Sequence, residues 1–343
     1  MERCTDSEKP LKVLIIGCGN IAGKFDMLNA SNTYAQTHAG AYLKNINFTL
    51  SACVEPGQSC REEFMEFWKV DKGFATLSEA INSGIEFDVV SICSPTDQHE
   101  SDILLAIKLT PKIIFCEKPI APSLHSSKAV ALACENSNIP LAVNYSRRWD
   151  PVLGDFSKAM SNDEYGVLRS VVGIYNKGVL NNGSHLIDLL QLLLGDLTIS
   201  SIGQVTHDYL DEDPSISATL LTNNGIGINL VTGHALDYSL FEVQFIFEKA
   251  MVTMQDGGAR WCIRKRIESE LYAGYYALNS GESKKGGYAM AMEHSIENIH
   301  SYIKSGNRML STAENSLAAQ SLCEGLITSI VLPFKNADSK NNI

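Results

Sequence analysis

The feature that most constrains this chain is a glycine turn fastened to the end of an apolar run. Lys12 to Ile16 reads as a short buried strand, and it leads straight into Gly17-Cys18-Gly19-Asn20-Ile21-Ala22. In Gly-x-Gly-x-x-Ala between a strand and a helix, the first glycine makes the tight turn. The second lets another group approach the backbone, and the small third residue lets the helix pack close. The following segments agree with that beginning. Phe48 to Val54 reads as a second strand, and Arg61 to Val70 puts Phe64, Phe67 and Trp68 on one helical face. Thr76-Leu77-Ser78-Glu79 fits a capping box. Phe87 to Cys93 and Lys112 to Cys116 are near-continuous apolar runs of the kind covered on both faces. Ser101 to Leu109 is helical in pattern, Ser123 caps a helix to about Glu135, and Leu141 to Asn144 is a further strand. Strands alternating with helices as far as Arg148 imply a parallel, doubly wound sheet. Lys24 to Thr37, polar and rich in Asn, has no clear period and reads as a loop.

The pattern then changes. Val167 to Tyr175 is a long strand, and Ser184 to Leu194 is a helix ended by Gly195. From Thr198 to about Arg266, strand-like runs alternate with turns such as Asn223-Asn224-Gly225 and Asp256-Gly257-Gly258, which describes a mainly antiparallel sheet. Helices over roughly Gly287 to Lys304 and Ala313 to Ile330 close the chain. The expected fold is therefore α/β with two domains: residues 1–148 doubly wound, residues 149–335 built on an open-faced sheet, and 336–343 a polar tail. An open sheet face invites pairing of copies, so a homodimer or homotetramer is expected.

Composition narrows the function. A net charge of −11 disfavours nucleic-acid partners, whose phosphates need a basic surface. The nine cysteines contain no Cys-x-x-Cys pair, and Cys53, Cys93 and Cys116 lie in apolar runs. They read as buried free thiols in a reducing compartment, with no metal site. Leu14-Ile15-Ile16 is too short for a signal or membrane segment, so a cytoplasmic location and no membrane partner are expected.

Several motifs carry chemistry. The turn residues Gly17, Gly19, Asn20, Ile21 and Ala22 would receive a pyrophosphate at a helix N-terminus. Glu55 ends the second strand, further along than the usual ~20 residues because of the intervening loop. A carboxylate there accepts from a ribose diol and repels a 2′-phosphate, which favours NAD over NADP; Arg61 is a nearby complication. Ser94, Pro95, Thr96 and His99 follow the Phe87 to Cys93 strand, where an open sheet lines its ligand crevice. His99 either contributes to a ligand site or is satisfied by backbone. Glu117-Lys118-Pro119 also ends a strand. Lys118 there could stabilise negative oxygen on a reacting alcohol or ketone, with proline stiffening the main chain. His185 stands at the start of the Ser184 helix, where the dipole favours a neutral base, and Asp188 shares its face. Tyr145, Arg148 and Lys177 could supply a patch for phosphate or carboxylate, or pin structure to an acidic partner.

Taken in order, the Gly17 turn, Ser94-Pro95-Thr96, Glu117-Lys118-Pro119, Tyr145-x-x-Arg148 and Gly183-Ser184-His185-x-x-Asp188 resemble the glucose–fructose oxidoreductase / inositol dehydrogenase / MocA (Gfo/Idh/MocA) family over nearly the whole chain. The Lys177-Gly178 to His185 stretch looks like its surface-polysaccharide and nucleotide-sugar branch. The resemblance implies an N-terminal Rossmann domain, bound NAD or NADP, and Lys118 and His185 as the catalytic pair acting on a sugar or nucleotide sugar. Some relatives cleave glycosides through transient oxidation, and one is a non-enzymatic sensor. One departure is plain: the family's aspartate four residues before the histidine is Asn181 here. An asparagine carbonyl can orient an imidazole but cannot stabilise an imidazolium by charge.

Overall fold

Six parallel strands form the first sheet: β1 (Leu11–Ile16), β2 (Phe48–Val54), β3 (Lys72–Phe74), β4 (Val89–Ile92), β5 (Ile113–Cys116) and β6 (Leu141–Val143). Their order is β3-β2-β1-β4-β5-β6, the doubly wound arrangement that the alternating pattern predicts. The computed structural model describes residues 9–29 and 33–331. The expected tail at 336–343 and residues 30–32 of the Lys24 to Thr37 stretch fall outside the described residues.

All residues of β4 and β5 are buried, as their unbroken apolar runs require. Each such Val, Ile or Phe side chain contributes about 1.5–3 kcal/mol on burial. Helices alternate with the strands: α1 (Phe25–Leu28), α2 (His38–Lys44), α3 (Gln58–Trp68), α4 (Leu77–Asn82), α5 (His99–Ala106) and α6 (Leu124–Asn136). Side-chain caps set the starts of α2, α4 and α6: Thr37 Oγ1 accepts from Gly40 N–H, Thr76 Oγ1 from Glu79 N–H, and Ser123 Oγ from Ser126 N–H. The Glu79 carboxylate reaches back to Ala75 N–H at 2.9 Å, one residue beyond the N-cap N–H that it meets in an ideal capping box.

The stretch expected to be one loop from Lys24 is partly helical. A π-helical turn over Asn20–Lys24 runs on into α1, and the Asp26 carboxylate then gathers the backbone that leads into α2. Its short, polar, aperiodic sequence hid these two turns.

Two compact units divide the chain. One comprises the residues up to Leu153 together with Gly287–Leu317; the other comprises Gly154–Gly286 and the residues from Ala318 onward. Helix α7 (Pro151–Ser161) carries the chain from the first to the second.

The second unit holds β7 (Leu168–Tyr175), α8 (Ser184–Leu194), β8 (Leu197–Leu210), β9 (Asp213–Thr222), β10 (Gly227–Thr232), β11 (Phe241–Phe247), β12 (Ala250–Gln255), β13 (Arg260–Glu268), β14 (Tyr276–Leu278) and β15 (Glu282–Lys285). The sheet order is β14-β13-β12-β11-β7-β10-β9-β8, with β15 on β13. All its pairs are antiparallel except β7 with β10. Alternate residues of β7 and β11 are buried, the pattern of a sheet with one packed face. The Phe156, Phe245 and Trp261 rings cluster there, with centroids 4.9 and 5.1 Å from Phe156. Helices α9 (Ala291–Ser305) and α10 (Ala313–Val331) follow. Helix α9 belongs to the first unit, where the His300 ring meets Phe48 edge-on.

Candidate active site

The carboxyl ends of β1 and β4 meet where the strand order reverses, the point at which open α/β sheets take ligands. Gly17 sits there at φ +84°, and a Cβ on it would lie 2.7 Å from Ser94 N and 2.8 Å from Cys93 C. Only glycine allows that conformation and that approach. A Cβ on Gly19, by contrast, would project into open space, and Gly19 offers no side chain to cap the helical turn that begins at Asn20. Open space beside an uncapped helix start fits a pyrophosphate. Ala22 is fully buried under the turn.

Glu55 lies against this turn. Its Oε2 accepts from Cys18 N–H and its Oε1 from Gly57 N–H, both at 3.0 Å. A carboxylate has lone pairs left after two such bonds, so the donor set fits a ribose diol. Arg61 Nη1 donates to Glu55 O at 2.5 Å, which brings a cation to the same strand end. The Cys18 thiol is pushed up by its hydrogen bond with Cys53 and by burial, and is held neutral. Cys53, Cys93 and Cys116 are buried free thiols.

After β4, Pro95 is exposed and Thr96 half-buried in a 3₁₀ turn leading into α5. Ser94 Oγ donates to Asp102 Oδ2 at 2.6 Å; burial pushes the Asp102 carboxyl up, and this bond opposes it. His99 is buried, with Nδ1 2.8 Å from Pro119 O and Nε2 2.9 Å from Ser94 O. Carbonyl oxygens only accept, so a neutral ring donates to one of these two and only an imidazolium donates to both. The ring lies between the segment after β4 and the segment after β5.

Glu117 and Lys118 follow β5, and the Lys118–Pro119 bond is cis. Glu117 N–H donates to Ile92 O at 3.0 Å. Glu117 Oε1 accepts from His38 Nε2 at 2.8 Å and from Asn144 Nδ2 at 2.6 Å. Burial pushes the Glu117 carboxyl up, but the His38 bond and charge, the Asn144 bond and the Lys118 charge outweigh it and hold it below the usual carboxylate range. Tyr145, fully buried, and Arg148, half-buried, follow β6 in a 3₁₀ turn. Their neighbour Arg147 places its guanidinium 4.6 Å from the Tyr288 ring centroid.

In the second unit, Lys177 adopts a left-handed backbone at φ 65° and starts a helix earlier than the sequence suggests. A π-helical turn over Gly178–Gly183 continues into α8. His185 therefore lies beyond the first turn. A dipole effect fades within that turn, so the expected helix-start tuning of this imidazole does not apply. The helix start is occupied from within the chain. Asp213 Oδ1 accepts from Leu180 N–H at 2.7 Å and Oδ2 from Asn181 N–H at 2.9 Å. Ser215 Oγ accepts from Gly178 N–H at 2.9 Å and donates to Asp208 Oδ1 at 2.8 Å. Asp208 Oδ2 accepts from Lys177 N–H at 2.9 Å. Asp188 is buried and His185 half-buried on α8.

Sequence reasoning missed His38, Asn144, Asp208 and Asp213. His38 follows the cap residue Thr37, and Asn144 directly ends a predicted strand, so both carried a positional signal. Nothing local marks the two aspartates, whose main-chain partners before α8 lie some thirty residues away: 31 for Asp208 and 32 and 33 for Asp213.

Residues 11–145 match the model of an oxidoreductase family with an NAD-binding Rossmann fold. The inositol 2-dehydrogenase of Rhizobium meliloti is 24% identical over 328 residues, 90% of this chain and 96% of the relative. The D-apiose dehydrogenase of Paraburkholderia graminis is 25% identical over 211 residues, 56% of this chain and 54% of the relative, so that alignment spans about half of that protein. The WlbA dehydrogenase of Bordetella pertussis, solved in complex with NADH and UDP-GlcNAcA, has the same fold. Its TM-score is 0.73 at 16% identity, covering 94% of this chain and 97% of that one.

Proposed function

Since the chain belongs to the Gfo/Idh/MocA family of oxidoreductases with an NAD-binding Rossmann fold, we propose that it oxidises or reduces a sugar at a secondary alcohol or ketone, with a nucleotide-activated sugar as the preferred class. The observation that carries this reading is the anchoring of the Glu117-Lys118-Pro119 loop. Glu117 is clamped by His38 and Asn144, and Pro119 O lies against His99, at a strand end two positions from the glycine turn in the sheet order. A lysine so mounted is a preorganised donor for developing negative charge on oxygen.

A nicotinamide dinucleotide held at the Gly17 turn and Glu55 would supply or receive the hydride. Glu55 accepts from the adenosine ribose hydroxyls and disfavours a 2′-phosphate. Lys118 Nζ donates to the reacting oxygen, orients it and stabilises its negative charge. An imidazole nitrogen of His185 takes or returns the hydroxyl proton. Asn181 orients that imidazole without adding charge. Arg148, Lys177 and Tyr145 serve the polar or anionic remainder of the substrate. A nucleotide-sugar substrate, with surface-polysaccharide synthesis as its setting, is supported by the Lys177 to His185 stretch and by the nucleotide sugar bound to a dehydrogenase of the same fold.

The test is nicotinamide absorbance with purified protein and a panel of sugars and nucleotide sugars. Net conversion supports the reading; glycoside release without net cofactor change replaces it with a glycosidase. Lys118→Ala should lower turnover by a factor of about 100–1000, the equivalent of ~2.7–4 kcal/mol, while leaving NADH affinity nearly unchanged. Retention of more than about a tenth of the wild-type rate would remove Lys118 from this role.

A further inference from the structure

His38 is a fully buried histidine that the proposed reaction leaves unused, yet it touches the residue beside Lys118. It opens α2, and α2 is held at that end with unusual thoroughness. The buried Asp26 carboxylate accepts from Gln36 N–H at 3.0 and 3.1 Å, from Thr37 N–H at 3.0 Å and from the Thr37 hydroxyl at 2.6 Å. The same Thr37 oxygen accepts from Gly40 N–H at 3.1 Å. A Cβ on Gly40 would fall 2.3 Å from Asp26 Oδ2, so the first turn of α2 presses directly on the carboxylate. The His38 ring then packs on Phe115 of β5, with centroids 4.6 Å apart. A carboxylate only accepts, so the proton between His38 and Glu117 sits on Nε2.

The arrangement is a poor way to glue a helix to a sheet. Two apolar side chains would fill the same seam without burying polar atoms. Here His38 Nδ1 and Asn144 Oδ1 are buried with no hydrogen-bond partner among the described residues. Polar groups kept at such a cost mark places where position matters more than stability. The position in question is the main chain between Ile92 O, which Glu117 N–H meets, and Pro119 O, which faces His99.

We propose that His38 is a positioning residue: by holding the Glu117 carboxylate from the pinned start of α2, it fixes the main chain that presents Lys118. The inference rests on the reading of Lys118 as the lysine of the reaction. Asn144 holds the same oxygen from the end of β6, so the carboxylate is gripped from both sides, and the His38 side is the one tied to α2.

The test is amide hydrogen exchange by mass spectrometry on the full chain without ligand, comparing wild type, His38→Leu and His38→Gln. Gln carries an amide nitrogen near the place of Nε2; Leu carries none. In His38→Leu, exchange at Glu117 and Lys118 should rise at least about tenfold, the scale of one lost hydrogen bond to a charged group, while β4 and α6 amides stay as in wild type. In His38→Gln it should stay within about threefold of wild type. If His38→Leu does not fold, Glu117→Gln, which keeps the shape of the core, should loosen the same two amides. Wild-type exchange at Glu117 and Lys118 in His38→Leu would overturn the proposal. So would a His38→Gln protein as loose as His38→Leu, since shape and not the hydrogen bond would then be at work. The readout needs no turnover: a chain that fails to oxidise any sugar would contradict the proposed reaction and leave the exchange result to decide on His38.

Discussion

The loop after β5 and the segment before α8 carry the two residues assigned to the reaction, and they are held in opposite ways. Around Lys118 the grip is on a side chain: Glu117 is the object that His38 and Asn144 hold. Before His185 the grip is on the main chain: Asp208, Asp213 and Ser215 take the N–H groups of Lys177, Gly178, Leu180 and Asn181. A side-chain grip fails when the held residue is changed. A main-chain grip survives changes in the residues it holds and fails only when the gripping carboxylate is changed. This explains how position 181 carries an asparagine where the family resemblance leads one to expect an aspartate. Its backbone is fixed by Asp213, so a change of side chain there leaves this hold on the main chain in place.

The contrast makes graded predictions. Asp213→Ala should have the largest effect, because two N–H groups at a helix start lose a buried acceptor. Urea unfolding should show a loss of roughly 2–5 kcal/mol. A loss under about 1 kcal/mol would mean that water replaces the carboxylate and that the main-chain grip is weak. Glu117→Gln should cost less at neutral pH, about 1–2 kcal/mol, because an amide still accepts one bond. It should also change the acid side of the stability curve. The folded Glu117 carboxyl titrates below its usual value, so its contribution is complete above the unfolded value of about 4.3 and is lost as pH falls from there through the folded value. The glutamine variant should lack that acid-limb loss; an unchanged slope would contradict the clamp. Asn181→Asp should be the mildest, within about 0.5 kcal/mol in stability. If Asn181 orients His185, the added anion favours the protonated imidazole, and the lower limb of the pH–rate profile should move to higher pH. A profile that stays put would separate the two residues or remove His185 as the titrating base.

The sheet of the first unit was legible because its strands read as near-continuous apolar runs, while the starts of α4 and α6 carry caps at Thr76 and Ser123. The Lys72–Phe74 strand was not legible, since three residues carry no period. Helix α9 was visible as a helix, but its membership in the first unit was not, because a periodic face does not name the surface it covers. The glycine turn and Glu55 were readable from position after a strand. His38 was hidden behind a stretch whose two short helical turns have too few residues for a pattern. The start of the helix at Gly178 was masked by Lys177 and Gly178, whose positive φ angles look like a turn in sequence. Asp208 and Asp213 act over distances in sequence that no local reading spans.

The account stands on a nicotinamide dinucleotide lying against the Gly17 turn with Glu55 at its adenosine ribose. Calorimetric titration of the wild-type chain with NADH and with NADPH tests this most directly. The account predicts that NADH binds at least about tenfold more tightly, a difference of ~1.4 kcal/mol, with Glu55→Ala narrowing the gap. NADPH binding as tight as NADH, or no binding of either, would contradict it.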